Sequence, residues 1–402
     1  MINKNIIFFI NSFWIFSSKG ASGGDEFVFQ YIENSKINFS KIYILCNIDA
    51  KKFAIKRLQG NKSIIWLITP KFFDLFPFYI SYFLRTIYAT IYMLINGSKF
   101  KYIYSSSDFF PDVIPIFINI LLRPNSYWIQ VVHHFYPRWY KRAGNIFYSF
   151  MGYYLQKISL KLIKSSHKII CVNKDLYKFF NKYYSRQEIK LINAGIDLNK
   201  IKKIKKKFNY KKLKKKYSAV FLGRLKPSKG IFDLPKIWKN VLKFKPDATL
   251  AIIGEGSAQD KKKLKTLIIE NNLQNSVKVM GYLSYKRIIK IFYQSKAFIL
   301  PSREEGFGLV ILEALTCDLQ VVVWDLKVFR TVYKDLVLRS KCYDFNSFSK
   351  QIIKIINSSK NKSSRRLNQL KKLKTQNSLE MQVYKIDEFI LKEYMIIKEH
   401  RV

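Results

Sequence analysis

Short apolar runs alternate with longer stretches of helical periodicity along this chain. IIFFI (6–10), KIYILC (41–46), SIIWLI (63–68), KYIYSS (101–106), YWIQVV (127–132) and KIICV (168–172) read as strands. Helical stretches separate several of them. A Gly-containing loop, SSKGASGGDEF (17–27), follows the first run and opens a helix. Strands that alternate with helices imply a parallel sheet covered on both faces. The first half closes around INAGID (192–197). The grammar then restarts with AVFLG (219–223), LAIIG (250–254), VKVMG (277–281), AFILP (297–301) and QVVVW (320–324). Two α/β units joined by a basic linker are therefore expected. The tail NSLEMQVYKIDEFILKEYMIIKEH (377–400) has apolar positions at helical spacing and reads as one amphipathic helix.

Composition narrows the class. The chain has 402 residues, of which 49% are hydrophobic, so global disorder is excluded. Cys46, Cys171, Cys317 and Cys342 lie far apart with no C-x-x-C, which argues against a disulfide scaffold, a zinc finger and an iron–sulfur site. The first apolar run has no small-residue cleavage pattern after it, so a cytoplasmic, reducing compartment is expected. Pro77–Ile95 is apolar and long enough to raise a transmembrane question, but Arg85 sits in its middle. A buried or membrane-facing helix is the preferred reading.

Charge adds a second theme. Lys plus Arg is 72 against 27 Asp plus Glu, a formal net charge of +45. Only 14 of the 72 are Arg, and Ile, Asn, Tyr and Phe are abundant, a profile that fits an AT-rich genome. The alternative is an anionic partner: nucleic acid, a phosphorylated substrate or acidic lipid. The densest run, Lys200–Lys216, reads as a solvated interdomain linker or as a segment attracted to a membrane surface. No nucleic-acid module accompanies the charge.

Two motifs carry candidate chemistry. GRLKPSKG (223–230) follows a buried-type strand. Arg224 and Lys229 would offer a planar fork and a mobile point charge to a diphosphate at a strand end. A basic surface turn is the plainer reading. SREEGFGLVILEA (302–314) also follows an apolar strand. Its glycines allow close backbone approach, and the helix that starts there presents free N–H groups to an anion. Glu305 begins that helix, where its dipole favours a carboxylate. Glu313 lies about two turns in on an apolar face, where a carboxylate needs a partner. A ribose diol would serve, as would a neighbouring lysine or backbone group.

With the E-x7-E element at Glu305–Glu313, about 80 residues beyond GRLKPSKG, the chain resembles the retaining, nucleotide-sugar-dependent glycosyltransferases of family 4 (glycosyl transferases group 1). Gly23-Gly24, IIGEG (252–256), VKVMGYLS (277–284) and NAGID (193–197) support the match by their order. The resemblance implies the GT-B fold, two Rossmann-like parallel-sheet domains facing each other across a cleft. Residues 1–208 would form the acceptor-side domain and 209–384 the nucleotide-sugar domain, with helix 385–402 packing back on the first.

It also implies roles by position. Arg224 and Lys229, with Gly223 beside them, would bind the donor pyrophosphate. Glu305 would contact the donor sugar and Glu313 the ribose. Backbone groups of Phe307, Gly308, Leu309 and Val310 would hold phosphates and sugar. Gly24 would let the chain pass close to the sugar–phosphate. His133 would sit near the transferred sugar; His134 is adjacent, and the choice between them stays open. The stretch CDLQVVVWDLKVFRTVY (317–333) departs from the family pattern by lacking glycine. Arg303 and Glu304 could tune sugar choice or pair with each other.

The implied activity is transfer of a hexosyl or N-acetylhexosaminyl unit from a nucleoside diphosphate sugar to a hydroxyl of a saccharide or lipid-linked saccharide. The setting would be cell-surface polysaccharide or lipopolysaccharide assembly, peripheral on the inner membrane face. Base contacts would come from backbone near Met280–Tyr282. No D-x-D pair occurs, and neither a metal nor another cofactor is expected. The aromatics Phe135, Tyr136, Trp139 and Tyr140 are candidate acceptor contacts or ordinary core. Two rival readings remain: a basic protein that binds nucleic acid or anionic membrane without transferase activity, and a nucleotide-sugar epimerase of similar architecture.

Overall fold

The computed structural model describes residues 5–13, 22–58, 63–142, 145–184, 186–208, 210, 213–358 and 364–399, with side chains to 391. Residues 17–21 of the first loop, 209 and 211–212 of the lysine run and residue 400 of the tail lie outside the described set. The chain divides into two units. The first holds Met1–Lys141, Asn145–Ala194 and Glu380–Val402, and the second holds Arg142–Gly144 and Gly195–Leu379.

The first unit is built on seven parallel strands: β1 (Ile6–Ile10), β2 (Ile42–Cys46), β3 (Ile64–Ile68), β4 (Tyr102–Ser105), β5 (Tyr127–Val132), β6 (Lys168–Cys171) and β7 (Glu188–Leu191). Their order is β3-β2-β1-β4-β5-β6-β7. All five residues of β1 are buried, with Ile6 opposite Ile42 on one side and Tyr102 on the other. Continuous apolar runs are what a parallel sheet covered on both faces requires. The crossovers reverse direction between β1 and β4, and that is where open α/β sheets carry their ligands.

The last helix, Leu379–Glu399, returns to this unit. Gln382 donates to the Phe27 carbonyl at 3.1 Å. The Asp387 carboxylate accepts from the Tyr31 hydroxyl at 3.0 Å, the Ser35 hydroxyl at 2.7 Å and the Lys36 N–H at 2.8 Å. Burial, with Asp387 beside it, drives the Tyr31 phenol well above its ordinary pKa, so it stays a donor. The buried Lys168 ammonium bonds the Phe389 carbonyl and pairs with Glu188 at 3.2 Å.

The second unit has six parallel strands: β8 (Tyr217–Leu222), β9 (Leu250–Ile253), β10 (Val277–Val279), β11 (Ser295–Leu300), β12 (Gln320–Trp324) and β13 (Leu338–Ser340). Their order, β10-β9-β8-β11-β12-β13, puts the crossover reversal between β8 and β11. β7 and β13 were not anticipated. EIKL and LRS are short and half polar, as edge strands are, and carry no apolar run.

The division falls at Ala194/Gly195, earlier than the expected 208, for a local reason. The two chain crossings hydrogen-bond side by side: Ile196 N–H donates to the Asn377 carbonyl at 3.1 Å and Leu379 N–H to the Ile196 carbonyl at 2.9 Å. A Cβ at Gly195 would lie 2.5 Å from the Ser378 carbonyl oxygen, so only glycine permits the approach. The first part of the lysine run is consequently not an open linker but a helix of the second unit, Leu198–Lys207. Asp197 caps it, accepting from Lys200 N–H at 2.7 Å, and Ile201 is buried. Lys205 lies 4.1 Å from the centre of the Tyr210 ring.

Removing the Asp387 carboxylate would leave a buried phenol and a backbone N–H without their acceptor. Asp387→Ala is expected to destabilise the first unit by about 1.5–3 kcal/mol, the range for hydrogen bonds to a charged group. Urea unfolding followed by circular dichroism checks this; an unchanged midpoint would show that the helix is dispensable.

Candidate functional site

In the second unit, three backbone segments converge at the carboxyl ends of β8, β9 and β11. After β8, Gly223 N–H donates to the Ile253 carbonyl at 3.1 Å and Leu225 N–H to the Glu255 carbonyl at 2.7 Å. Gly254 has φ +146°, and a Cβ there would lie 1.8 Å from the Gly223 carbonyl oxygen. Farther along, Gly230 has φ +73°, and its Cβ would lie 1.9 Å from the Pro301 carbonyl oxygen. The Ser228 carbonyl accepts from Arg303 N–H at 2.9 Å and the Ser302 hydroxyl at 3.2 Å. The turn 223–230 is thereby stitched to the segment that leads out of β11.

That stitching sets Lys229 against Glu305, with Nζ 2.5 Å from Oε1. Arg224 and Lys226 stand on the same turn, both half-buried. Enclosure of the Lys226 ammonium, reinforced by the Arg224 and Lys229 cations, pushes its pKa well below the ordinary lysine value. Three cations thus share one turn with too little solvent between them, and an incoming anion would relieve their repulsion. Lys226 went unremarked in the sequence reading, although it sits inside the motif; nothing in the linear pattern says that its ammonium is enclosed.

Arg303 and Glu304 do not pair with each other. The Arg303 guanidinium grips Asp233 through two bonds of 2.7 and 3.2 Å. Glu304 accepts from Arg142 at 3.1 and 3.2 Å. Arg303 therefore fixes the 301–308 segment to the start of the helix Leu234–Leu242, a tie for which the sequence held no signal.

The helix Leu309–Thr316 starts at Gly308, whose φ is +85°. The Tyr333 hydroxyl donates to the Gly308 carbonyl at 2.8 Å, and the Phe307 ring packs 5.9 Å from the Tyr333 ring. Phe307 is buried, so only its backbone is available to a ligand. Leu309 and Val310 supply the first N–H groups of this helix, which have no partner within it. Glu313 is half-buried on this helix, and its partner is the Tyr285 phenol, whose own pKa is raised by burial and then by that carboxylate.

The glycine-poor stretch after this helix forms β12 and the short helix Lys327–Val332. Arg330 clamps Asp325 at 2.8 and 2.7 Å, closing the turn that glycines would otherwise make.

In the first unit the two adjacent histidines have different surroundings. A Cβ on Gly24 would lie 3.1 Å from His133 Nε2, so the helix start and the imidazole are in close approach. His133 Nε2 is 2.8 Å from the Ser106 carbonyl oxygen and must donate to it, which leaves Nδ1 as the acceptor of the neutral ring. Its backbone N–H donates to Asp108 at 3.2 Å, and Asp108 also accepts from Gln156 at 2.6 Å. His134 turns elsewhere, its ring 5.2 Å from Tyr136. Among Phe135, Trp139 and Tyr140, Phe135 packs on Phe179 at 4.8 Å, while Tyr140 is exposed. Among the described residues, no group of three or more His, Cys, Asp or Glu is placed to hold a metal ion.

Comparison with known proteins bears on this arrangement. Residues 202–373 match the family described as "Glycosyl transferases group 1". An uncharacterized glycosyltransferase of Methanocaldococcus jannaschii is 31% identical over 175 residues, 38% of this chain. The chain spans 42% of that relative's length, and 40% and 57% of two further glycosyltransferases from the same organism. Among solved structures, sucrose-phosphate synthase from Thermosynechococcus elongatus superposes with a TM-score of 0.78 at 14% identity, covering 98% of this chain and 100% of its own. Anabaena HepE in complex with UDP and glucose gives 0.70 at 14% identity, covering 97% and 100%. These likenesses show the two-domain GT-B fold. By sequence match, the stretch that carries the Arg224–Lys229 turn, Glu305 and Glu313 is a glycosyl transferases group 1 domain.

Proposed function

We propose that the protein is a retaining glycosyltransferase of the family 4 type. It moves a hexosyl or N-acetylhexosaminyl unit from a nucleoside diphosphate sugar to a hydroxyl of a lipid-linked saccharide at the inner membrane face, in assembly of a cell-surface polysaccharide or lipopolysaccharide. The observation that carries the reading is the Lys229–Glu305 pair at the β8/β11 reversal, flanked by Arg224 and Lys226. The complex of Anabaena HepE with UDP and glucose supports a nucleoside diphosphate as the donor's leaving group.

The chemistry follows from the charges. When the bond from the sugar's anomeric carbon to the phosphate oxygen breaks, negative charge develops on the diphosphate. Arg224, Lys226, Lys229 and the N–H groups of Leu309 and Val310 are assigned to meet that charge, since preorganised donors in a water-poor site lower the barrier most. Before the donor arrives, Glu305 holds the Lys229 ammonium. With the donor bound, the same carboxylate contacts the sugar and Glu313 the ribose. The acceptor oxygen attacks from the face that the phosphate leaves, its proton passes to the departing phosphate oxygen, and the anomeric configuration is retained. By the family resemblance, Gly24 would let the chain pass close to the sugar–phosphate and His133 would sit near the transferred sugar. The cations meet the charge that a divalent ion would otherwise meet, so activity is expected to persist in EDTA.

A thermal-shift panel of UDP, GDP and ADP in EDTA tests the donor site. One nucleotide at a hundred times its dissociation constant should stabilise the protein by about 2.7 kcal/mol. Arg224→Ala should abolish that shift and lower turnover about a hundredfold or more, as loss of one preorganised donor does elsewhere. No shift with any nucleotide, beside salt-dependent binding to nucleic acid, would favour the non-enzymatic reading. A sugar nucleotide inverted without acceptor would make the protein an epimerase.

Gly24→Val provides a separate test in the first unit. The branched side chain must displace His133 from the Ser106 carbonyl, so turnover should fall at least tenfold while the nucleotide shift survives. Full turnover in this variant would remove Gly24 and His133 from the reaction.

A further inference from the structure

We propose that one face of the first unit is a membrane-docking surface for an anionic lipid bilayer, which it enters edge-on rather than crosses. The proposal deepens the membrane-side part of the function above, but its test reads binding alone and does not require transferase activity.

The helix Phe78–Asn96 has two unlike sides. Tyr79, Tyr82, Arg85, Thr86, Ala89 and Met93 are buried. The exposed positions Ile80, Phe83, Ile87, Ile91 and Leu94 recur at spacings of three and four, so they form one stripe, and every member is apolar. The solvent side of a helix in a water-soluble domain is ordinarily polar. At its start the stripe continues into the turn Lys71–Leu75 and Phe76, with Leu75 84% exposed. The start of the helix Ile146–Leu162 also exposes apolar side chains, with Ile146 and Phe147 at 64% and 61%. The Tyr79 hydroxyl donates to the Tyr148 carbonyl at 2.8 Å and joins the two helices. A contiguous exposed apolar surface of this kind marks an interaction site.

Charge identifies the occupant. Between residues 75 and 174 the only acidic side chains are Asp108 and Asp112, and both are buried. The exposed charges of this stretch are therefore all positive, among them Lys99, Arg138, Lys157 and Lys161. An apolar face with a cationic rim, whose carboxylate Asp74 is already tied to Arg85, matches the interface of an anionic bilayer, which attracts nearby basic residues. It does not match a second copy of itself, because two such rims would bring cations together with little carboxylate to offset them. Crossing the bilayer is disfavoured by Arg85. Its guanidinium bonds Asp74 and donates to the Asn11 carbonyl at 3.2 Å and the Phe13 carbonyl at 2.9 Å, which fixes the helix to the carboxyl end of β1.

Co-sedimentation of the full-length protein with vesicles tests the proposal. The protein should pellet with phosphatidylglycerol–phosphatidylcholine vesicles at least tenfold more strongly than with pure phosphatidylcholine, and the preference should shrink as salt rises. Ile87→Glu with Ile91→Glu should weaken that binding at least tenfold while the thermal midpoint stays unchanged. Ile80→Glu with Leu94→Glu should do the same, so that misfolding of one double variant does not decide the matter. Phe244→Glu, at an exposed apolar position of the second unit, should change nothing. Vesicle binding that survives both stripe variants would overturn the proposal. So would self-association in sedimentation velocity that the stripe variants abolish, with no lipid binding, since that would assign the face to a second copy.

Discussion

Close backbone approach at the carboxyl ends of β8, β9 and β11 is the constraint on which the second unit turns. Gly254 and Gly230 each stand where a Cβ would fall within 2 Å of a carbonyl oxygen. Both also have positive φ, so an alanine would face a clash and backbone strain together. Because those positions are bare, the turn after β8 can hydrogen-bond to the β9 side through Gly223 and Leu225 and to the β11 side through Ser228. The cations of that turn then have fixed roots. A Lys on a loop free to swing would lose its orientation, and with it most of the advantage of a preorganised site.

The same geometry creates an electrostatic debt that explains the acidic residues around it. Burial first, and then the Arg224 and Lys229 cations, depress the Lys226 pKa. Glu305 answers Lys229 directly. Glu304 lies close enough to raise the Lys226 pKa in part, opposing the cations, while it is itself held by Arg142. The balance still favours a further anion. The backbone framework of the turn is held by glycine contacts that need no ligand.

Legibility in the sequence followed burial. Strands that lie deep in either sheet, such as IIFFI and QVVVW, show as unbroken apolar runs, and the two-unit plan could be read from them. β7 and β13 escaped because EIKL and LRS are short and half polar, whereas the edge strand β3, IIWLI, is an unbroken apolar run. The Glu305 and Glu313 spacing was readable because a carboxylate on an apolar helix face is unusual. What Glu313 touches was not readable, since Tyr285 comes from a different helix, Tyr285–Tyr293, and only folding brings the two together. The unit boundary was misplaced for a similar reason. The lysine run looked like a linker by composition, whereas the tight pairing of Ile196 with Ser378 is a contact between distant parts of the chain. His133 and His134 are indistinguishable in sequence, and the Gly24 approach separates them.

Scarcity of carboxylates gives these placements further meaning. With 27 acidic residues against 72 basic ones, most cations must do without a carboxylate partner and rely on water or on aromatic rings. Lys200 over Tyr285 and Lys263 over Phe232 illustrate the second solution. The acids that exist are concentrated where geometry has to be held: Asp387 on the returning helix, Asp233 on Arg303, Asp325 on Arg330 and Glu305 on Lys229. Their absence from the surface of the stretch 75–174 is the complement of that pattern. Where no carboxylate intervenes, the positive field is unrelieved, and the apolar stripe of the helix Phe78–Asn96 lies in that field. A codon-driven surplus of lysine would raise the charge everywhere. It would not by itself leave the stretch 75–174 without an exposed carboxylate.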